Sequence, residues 1–157
     1  MGTQKIIKSK NRVKKHGEVF TPDWVVKEMC DLVGEEGAWD NIDNTFLEPA
    51  AGTGNFVVEI LRRKLSRCSS DDEKLRALKS VYAIELLQDN VDEMKARVRA
   101  IMSEHGMTDG VDDIISVNIQ QGNFLTQKHA DGTDIAFYDW RNGTGYHTLR
   151  SMCNPAK

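Results

Sequence analysis

The chain has few of the residues that hold secreted or membrane proteins together. Its three cysteines, Cys30, Cys68 and Cys153, are widely spaced and odd in number. This pattern excludes a disulfide framework and a CxxC motif, so we expect reduced thiols in a cytosolic protein. No apolar run approaches the roughly 18 residues of a membrane-spanning helix, and the basic N-terminus lacks the apolar stretch of a secretory signal.

A metal-binding pattern is also missing. His16, His105, His129 and His147 have no ligand spacing to one another or to the cysteines, so no metal site is expected. Apolar residues make up 39% of the 157 residues and charged residues make up 29%. That composition and that length are typical of one soluble globular domain.

Acidic residues are absent from the first 16 positions, which hold six basic ones. The rest of the chain has 15 basic and 24 acidic residues, a net charge of −9. We therefore predict a flexible basic arm over residues 1–16 and a single domain over residues 17–157. Two interpretations of the arm remain open: residues 5–15 contact the phosphates of DNA, or they form a solvated, frayed terminus.

Hydrophobic periodicity in the rest of the chain predicts alternating strands and helices. Strands are expected at about 45–47, 81–86, 114–119 and 135–138, and helices at about 23–33, 55–67, 71–79 and 88–105. This order predicts a mostly parallel sheet with helices on both faces, a Rossmann-like α/β fold. In such a sheet the ligand binds beyond the carboxyl ends of the strands.

The first predicted helix is expected to bury an apolar face. The residues that recur at helical spacing are Trp24, Val25, Met29, Leu32 and Val33. Thr21 is expected to cap this helix, with Pro22 in its first position.

A glycine-rich turn, Gly52-Thr53-Gly54, follows the first strand. Because glycine lacks a Cβ atom and tolerates positive φ, this turn lets the backbone approach a ligand closely. A dinucleotide site would have a third glycine, and the Glu48 carboxylate would repel its pyrophosphate. The acid instead favours a ligand that carries an ammonium group, such as the amino-acid part of S-adenosylmethionine (SAM).

Polar and aromatic residues also follow the next two strands. Glu85 closes the second strand, where a carboxylate accepts hydrogen bonds from both hydroxyls of a ribose. The alternative is an acid at the N-terminus of the next helix. Asn123 offers an amide to the edge of a base and Phe124 offers a ring face to an adenine. The alternative for these two, a turn residue and a core aromatic, is favoured when they are taken alone.

Four segments in order resemble the SAM-site motifs of N6-adenine DNA methyltransferases. They are Gly17-Glu18-Val19-Phe20-Thr21-Pro22, the run Phe-Leu-Glu-Pro-Ala-Ala-Gly-Thr-Gly-Asn-Phe at 46–56, Ile84-Glu85, and Gly122-Asn123-Phe124-Leu125. The order resembles the subgroup with a Phe-Thr-Pro motif at its N-terminus, which includes type I modification subunits. The resemblance spans about residues 17–126.

This resemblance implies a SAM-dependent methyltransferase fold, SAM as the cofactor, and a role for each matching residue. Thr21 and Pro22 would help to hold the methionine moiety. The residues that would line the methionine and the sugar are Glu48, Ala50, Gly52 and Gly54. Glu85 would hold the ribose, and Asn123 and Phe124 would frame the adenine. The family often has aspartate at the position of Asn123, a difference that would alter adenine recognition.

The family's catalytic motif, Asn/Asp-Pro-Pro-Tyr/Phe after the fourth strand, is missing. In the family a side-chain oxygen and a backbone carbonyl accept the hydrogens of the target amine, and an aromatic ring stacks on the flipped base. Asp139 and Trp140 follow the fourth strand and are candidate catalytic residues by position and type. An acid and an aromatic with structural roles fit equally well. Asn154-Pro155 is rejected as a remnant, because it follows no apolar strand and lacks the second proline and the aromatic.

The sequence therefore favours a SAM-dependent methyltransferase acting on the exocyclic amine of adenine in DNA. A partner subunit would supply target recognition, because the chain lacks a recognition region and the strands that complete the family's sheet. The missing motif favours an alternative, a catalytically inactive SAM-binding accessory module of a DNA-modification system. A methyltransferase for RNA, protein or a small molecule also stays open, since the fold alone does not fix the substrate. No membrane or metal partner is expected.

Overall fold

Three parallel strands form the central sheet of the protein. The computed structural model describes residues 6–149 and 151. In chain order its elements are α1 (Lys10–His16), α2 (Asp23–Glu35), β1 (Phe46–Glu48), α3 (Asn55–Leu65), α4 (Asp71–Lys79), β2 (Val81–Glu85), α5 (Gln88–Glu104), α6 (Val111–Asn118), β3 (Ile119–Gln121), β4 (Ala136–Tyr138) and β5 (Tyr146–Thr148). The order across the sheet is β1-β2-β3, all parallel. This mixed α/β arrangement is compatible with a Rossmann-like fold.

The two faces of the sheet are covered by different kinds of structure. All five residues of β2 are buried, and successive side chains point to opposite faces. Val81 and Ala83 pack in one core cluster with residues of α2 to α6. Tyr82 and Ile84 pack in a second cluster with residues of the segment 135–149, which contains the antiparallel hairpin of β4 and β5. The fold thus differs from the expected helices on both faces, because in the described part of the chain the hairpin covers the second face.

The third predicted strand is mostly helical, which corrects the expectation for residues 114–119. Helix α6 occupies Val111–Asn118, and β3 begins only at Ile119. The buried positions of α6 are 111, 114, 115 and 118, which is the spacing of one helical face. This helical spacing outweighs the alternation of Ile115, Val117 and Ile119 that suggested a strand.

Helix α2 buries a different face from the one expected. Trp24 is 64% exposed and Leu32 is 62% exposed, and Met29 and Val33 are also exposed. The buried residues are Val26 and Cys30. Val26 and Cys30 pack in the core cluster that also contains residues of α3, and the bulkier apolar residues of α2 lie on its exposed surface.

The described part of the basic N-terminal segment is attached to the body. Ser9 caps α1 by accepting a hydrogen bond from the Arg12 backbone N–H at 3.2 Å. The Arg12 guanidinium pairs with Asp89 on α5 at 2.6 Å, and Lys8 pairs with Asp89 at 3.1 Å and with Glu93 at 2.9 Å. None of the residues of α1 is buried. The segment is therefore held by surface ion pairs and contributes little apolar packing.

A buried lysine, Lys64 of α3, lies in the core and is 1% exposed. Its Nζ atom donates to Ile42 O at 2.6 Å, to Asn44 O at 2.7 Å and to Ser80 Oγ at 2.8 Å. Burial lowers the pKa of this ammonium group to about 8. The three contacts join α3 to the segments that lead into β1 and β2.

Within residues 6–149 and 151, no helix has the length and apolar character needed to cross a membrane. The same residues contain no group of three or more histidine, cysteine, aspartate or glutamate side chains arranged to bind a metal ion.

Candidate functional site

A cavity of about 550 Å³ opens at the carboxyl ends of β1, β2 and β3. Its lining comes from residues 16–21, 48–53, 55–56, 85–87, 90 and 122–125. The volume lies in the range of small-molecule sites, and ligands in parallel α/β sheets bind at this edge. The cavity is therefore the candidate functional site.

The structure brings most of the residues predicted for the cofactor into this lining. They are Thr21, Glu48, Ala50, Gly52, Glu85, Asn123 and Phe124. Pro22 and Gly54 lie beside the lining as the N-cap residues of α2 and α3. Pro22 thus stands one position before the first helical position expected for it. The Asn55 side-chain amide donates to Thr21 O at 2.8 Å, which ties this segment to the start of α3.

The glycine turn after β1 depends on both of its glycines. Gly52 has a φ of +55° and Gly54 a φ of +88°. A Cβ atom on Gly52 would lie 3.2 Å from the Phe20 ring, and one on Gly54 would lie 2.6 Å from Met94 Cγ. The turn is therefore packed closely between the N-terminal segment and α5.

Glu85 joins this turn to the start of α5. The side chain is buried, and its Oε2 atom accepts a hydrogen bond from Gly52 N at 2.8 Å. Its Oε1 atom accepts from Leu87 N at 2.9 Å and from Asn90 Nδ2 at 3.2 Å. A carboxylate oxygen accepts about two hydrogen bonds, so Oε2 retains capacity for one more donor.

Glu48 gives the cavity an uncompensated acidic group. Its Oε1 atom accepts a hydrogen bond from Ala50 N at 3.2 Å, and no lysine or arginine among the described residues forms an ion pair with it. Burial raises the pKa of the Glu48 carboxyl group. A ligand cation beside this carboxylate would stabilise its charged form.

Asn123 and Phe124 both make structural contacts and also lie in the lining of the cavity. Asn123 Oδ1 accepts from Leu125 N at 2.9 Å and from Thr126 N at 3.3 Å, so this oxygen holds a turn. Only the Nδ2 hydrogens of Asn123 then remain for a ligand. Phe124 is half-buried against the second core cluster and also lines the cavity.

Sequence reasoning missed Glu18 and Asn90 as site residues. Asn90 Nδ2 donates to Glu18 Oε2 at 2.9 Å as well as to Glu85 Oε1 at 3.2 Å. Arg12 donates to the same Glu18 oxygen through Nε at 3.1 Å and Nη2 at 2.5 Å. Asn90 stands on the apolar face of α5 with Val91 and Met94, and an amide at such a position was the available signal.

Asp139 and Trp140 line a separate cavity of about 700 Å³, which shares no lining residue with the first. This second cavity includes Thr45 and Ser80 at the amino ends of β1 and β2, so it lies at the opposite edge of the sheet. The Asp139 carboxylate accepts from Arg141 N at 3.1 Å and from other groups of the following turn.

The hydrogen bonds within this turn lower the pKa of Asp139. Trp140 Nε1 donates to Asn118 Oδ1 at 2.7 Å. The structure therefore does not bring the two candidate catalytic residues to the first cavity. Asn154-Pro155 lies outside the described residues.

Comparison with known proteins found a partial similarity. Over 74 residues, which are 46% of this chain, the sequence is 35% identical to the Type II restriction enzyme and methyltransferase RM.BcgI of Heyndrickxia coagulans. The chain spans only 11% of the length of that relative. No family model matches the chain, and no solved structure matches it. The similarity suggests a methyltransferase-related region in this chain.

Proposed function

We propose that the chain binds SAM in the cavity at the carboxyl ends of β1 to β3, and that it serves methylation of the exocyclic amine of adenine in DNA. The observation that carries the proposal is the meeting of Thr21, Glu48, Glu85 and Phe124 around one cavity of suitable size. Similarity to a restriction enzyme and methyltransferase supports a role in DNA modification. A partner would supply recognition of the target sequence.

The acceptors of the cavity fit the chemistry of SAM. When bound, SAM supplies a methyl group on a positively charged sulfonium. Glu48 would place a negative charge near the cationic amino-acid part, and Glu85 Oε2 would accept one hydrogen bond from the ribose. Phe124 would offer a face to the adenine ring. The same carboxylates disfavour a dinucleotide, because its pyrophosphate is anionic.

The first test is calorimetric titration with SAM, with NAD as the control ligand, followed by transfer of tritiated methyl to unmethylated duplex DNA. We expect SAM to bind with a stoichiometry of one and NAD to give no heat of binding. Methyl transfer in the same sample would establish an enzyme. An absence of SAM binding would contradict the whole proposal.

A catalytically inactive SAM-binding module is the second candidate. The observation that favours it is the position of Asp139 and Trp140 at the edge of the sheet opposite to the proposed SAM site. Neither residue is therefore proposed to contact the methyl donor. SAM binding without methyl transfer, with or without a partner subunit, would favour this candidate.

Replacing Glu85 with alanine is expected to weaken SAM binding by about 1–3 kcal/mol, the scale of hydrogen bonds to a charged group. Glu85→Gln keeps the size of the side chain and removes its charge, and should also weaken binding. Calorimetry measures both effects. Thermal unfolding checks that the protein stays folded without the hydrogen bonds that Gly52 N and Leu87 N donate to Glu85. Glu28→Ala, on the exposed surface of α2, is the matched control. Unchanged affinity in Glu85→Ala would remove this residue from the site.

A further inference from the structure

Glu18 and Asn90 form a buried polar pair in the wall of the cavity. Asn90 is fully buried, and the Glu18 side chain is 8% exposed. Each carries one buried oxygen that has no hydrogen-bond partner among the described residues, Glu18 Oε1 and Asn90 Oδ1. A buried acceptor without a donor is costly, so such pairs occur where a water or a ligand completes them.

The two unpartnered oxygens belong to a chain of contacts that begins at Glu85. Asn90 Nδ2 bridges Glu85 Oε1 at 3.2 Å and Glu18 Oε2 at 2.9 Å. All three side chains line the same cavity. The network that holds Glu85 therefore contains two further acceptors that need donors, and both belong to residues of the cavity lining.

The charges at this pair favour neutral donors over a cation. Arg12 holds Glu18 Oε2 with two N–H groups, so the negative charge of Glu18 is already compensated. Neither Glu48 nor Glu85 forms an ion pair within the described residues, but Glu85 accepts three hydrogen bonds from N–H groups, whereas Glu48 accepts one. An ammonium group would therefore be attracted to Glu48, whereas hydroxyl groups suit the side of the cavity formed by Glu18 and Asn90.

We infer that Glu18 and Asn90 complete, together with Glu85, the set of acceptors for the two neighbouring hydroxyls of a ribose. This inference rests on the proposed binding of SAM. A ribose hydroxyl donates to Glu18 Oε1 or Asn90 Oδ1 and satisfies an acceptor that is otherwise unpaired. A sugar that lacks one hydroxyl leaves that acceptor unsatisfied, so the pair selects ribose over deoxyribose. This selection keeps the deoxynucleosides of a DNA substrate out of the cofactor cavity.

The test titrates the full chain and Glu18→Gln with S-adenosylhomocysteine and with its 2′-deoxy and 3′-deoxy analogues. For the wild-type chain we expect at least one deoxy analogue to bind about tenfold or more weakly than S-adenosylhomocysteine. In Glu18→Gln we expect weaker binding of S-adenosylhomocysteine and a discrimination of about threefold or less against that analogue. Calorimetry gives each dissociation constant.

Two further variants keep the test decisive if Glu18→Gln folds poorly. Arg12→Gln removes the guanidinium group that holds Glu18 Oε2 and leaves the core residues unchanged. We expect it also to lower the discrimination between S-adenosylhomocysteine and its deoxy analogue. Glu28→Gln on the exposed surface of α2 should leave affinity and discrimination unchanged. Wild-type discrimination in Glu18→Gln, or in Arg12→Gln if Glu18→Gln does not fold, overturns the inference alone. A wild-type chain that binds no S-adenosylhomocysteine overturns the proposed function, and this inference with it.

Discussion

Replacing Lys64 with methionine is expected to destabilise the protein by about 3 kcal/mol at pH 7. The three oxygen atoms that accept from Nζ are Ile42 O, Asn44 O and Ser80 Oγ. They lie around a side chain that is 1% exposed, so water does not readily replace the lost donors. Methionine restores much of the apolar volume but offers no N–H group. Urea denaturation followed by circular dichroism measures the change in the free energy of unfolding.

Lys27→Met on the exposed surface of α2 is the matched control and should change stability by less than about 0.5 kcal/mol. The opposite outcome has a physical basis, because a buried charge costs free energy to desolvate and an apolar replacement is sometimes neutral or stabilising. Here the partners of Lys64 are neutral carbonyl and hydroxyl oxygens that stay behind unpaired. A Lys64→Met variant as stable as the wild type would show that these acceptors find other donors.

Gly54→Ala is expected to destabilise the protein by about 2–4 kcal/mol, from two separate causes. The φ of +88° is strained for a residue with a Cβ atom, and that Cβ would lie 2.6 Å from Met94 Cγ. Met94 is itself fully buried in α5, so it has little room to move. Because Gly54 is the N-cap residue of α3 and lies between the lining residues Thr53 and Asn55, SAM affinity should fall as well.

Gly110→Ala separates the two causes. Gly110 is also the N-cap glycine of a helix and has a φ of +74°, but a Cβ atom added to it would meet no side chain within 4 Å. Gly110→Ala should lower the free energy of unfolding by about 1–2 kcal/mol, and this loss should report the backbone strain alone. Equal losses of stability in Gly54→Ala and Gly110→Ala would mean that the Met94 side chain moves away from the new Cβ atom without a cost in free energy.

Local patterns predicted most of the elements that place the residues proposed to bind the cofactor. The apolar strand before Glu85, the glycines after β1 and the apolar face of α5 each depend on neighbours in the sequence. The predictions that were wrong concern segments whose structure is decided by tertiary packing. Residues 111–119 carry both a helical and an alternating pattern, and the fit of α6 against the sheet decides between them.

Helix α2 presents two apolar faces, and only contact with α3 selects the one with Val26 and Cys30. Glu18 and Asn90 were missed for a similar reason, because they are 72 positions apart in the chain and meet only in the folded protein. The expected catalytic pair fails to reach the cavity since its strand joins a hairpin on one face of the sheet.

The walls of the cavity differ in how easily they open. The wall from residues 48–53 and 85–87 continues β1 and β2, and the amides of Ala51 and Gly52, which donate to Ile84 O and Glu85 Oε2, should exchange slowly with solvent hydrogen. The wall from residues 16–21 follows α1, which has no buried residue and is held by partly exposed ion pairs. Local opening of this segment should therefore occur in the folded protein, and it gives a ligand a way in without disturbing the sheet.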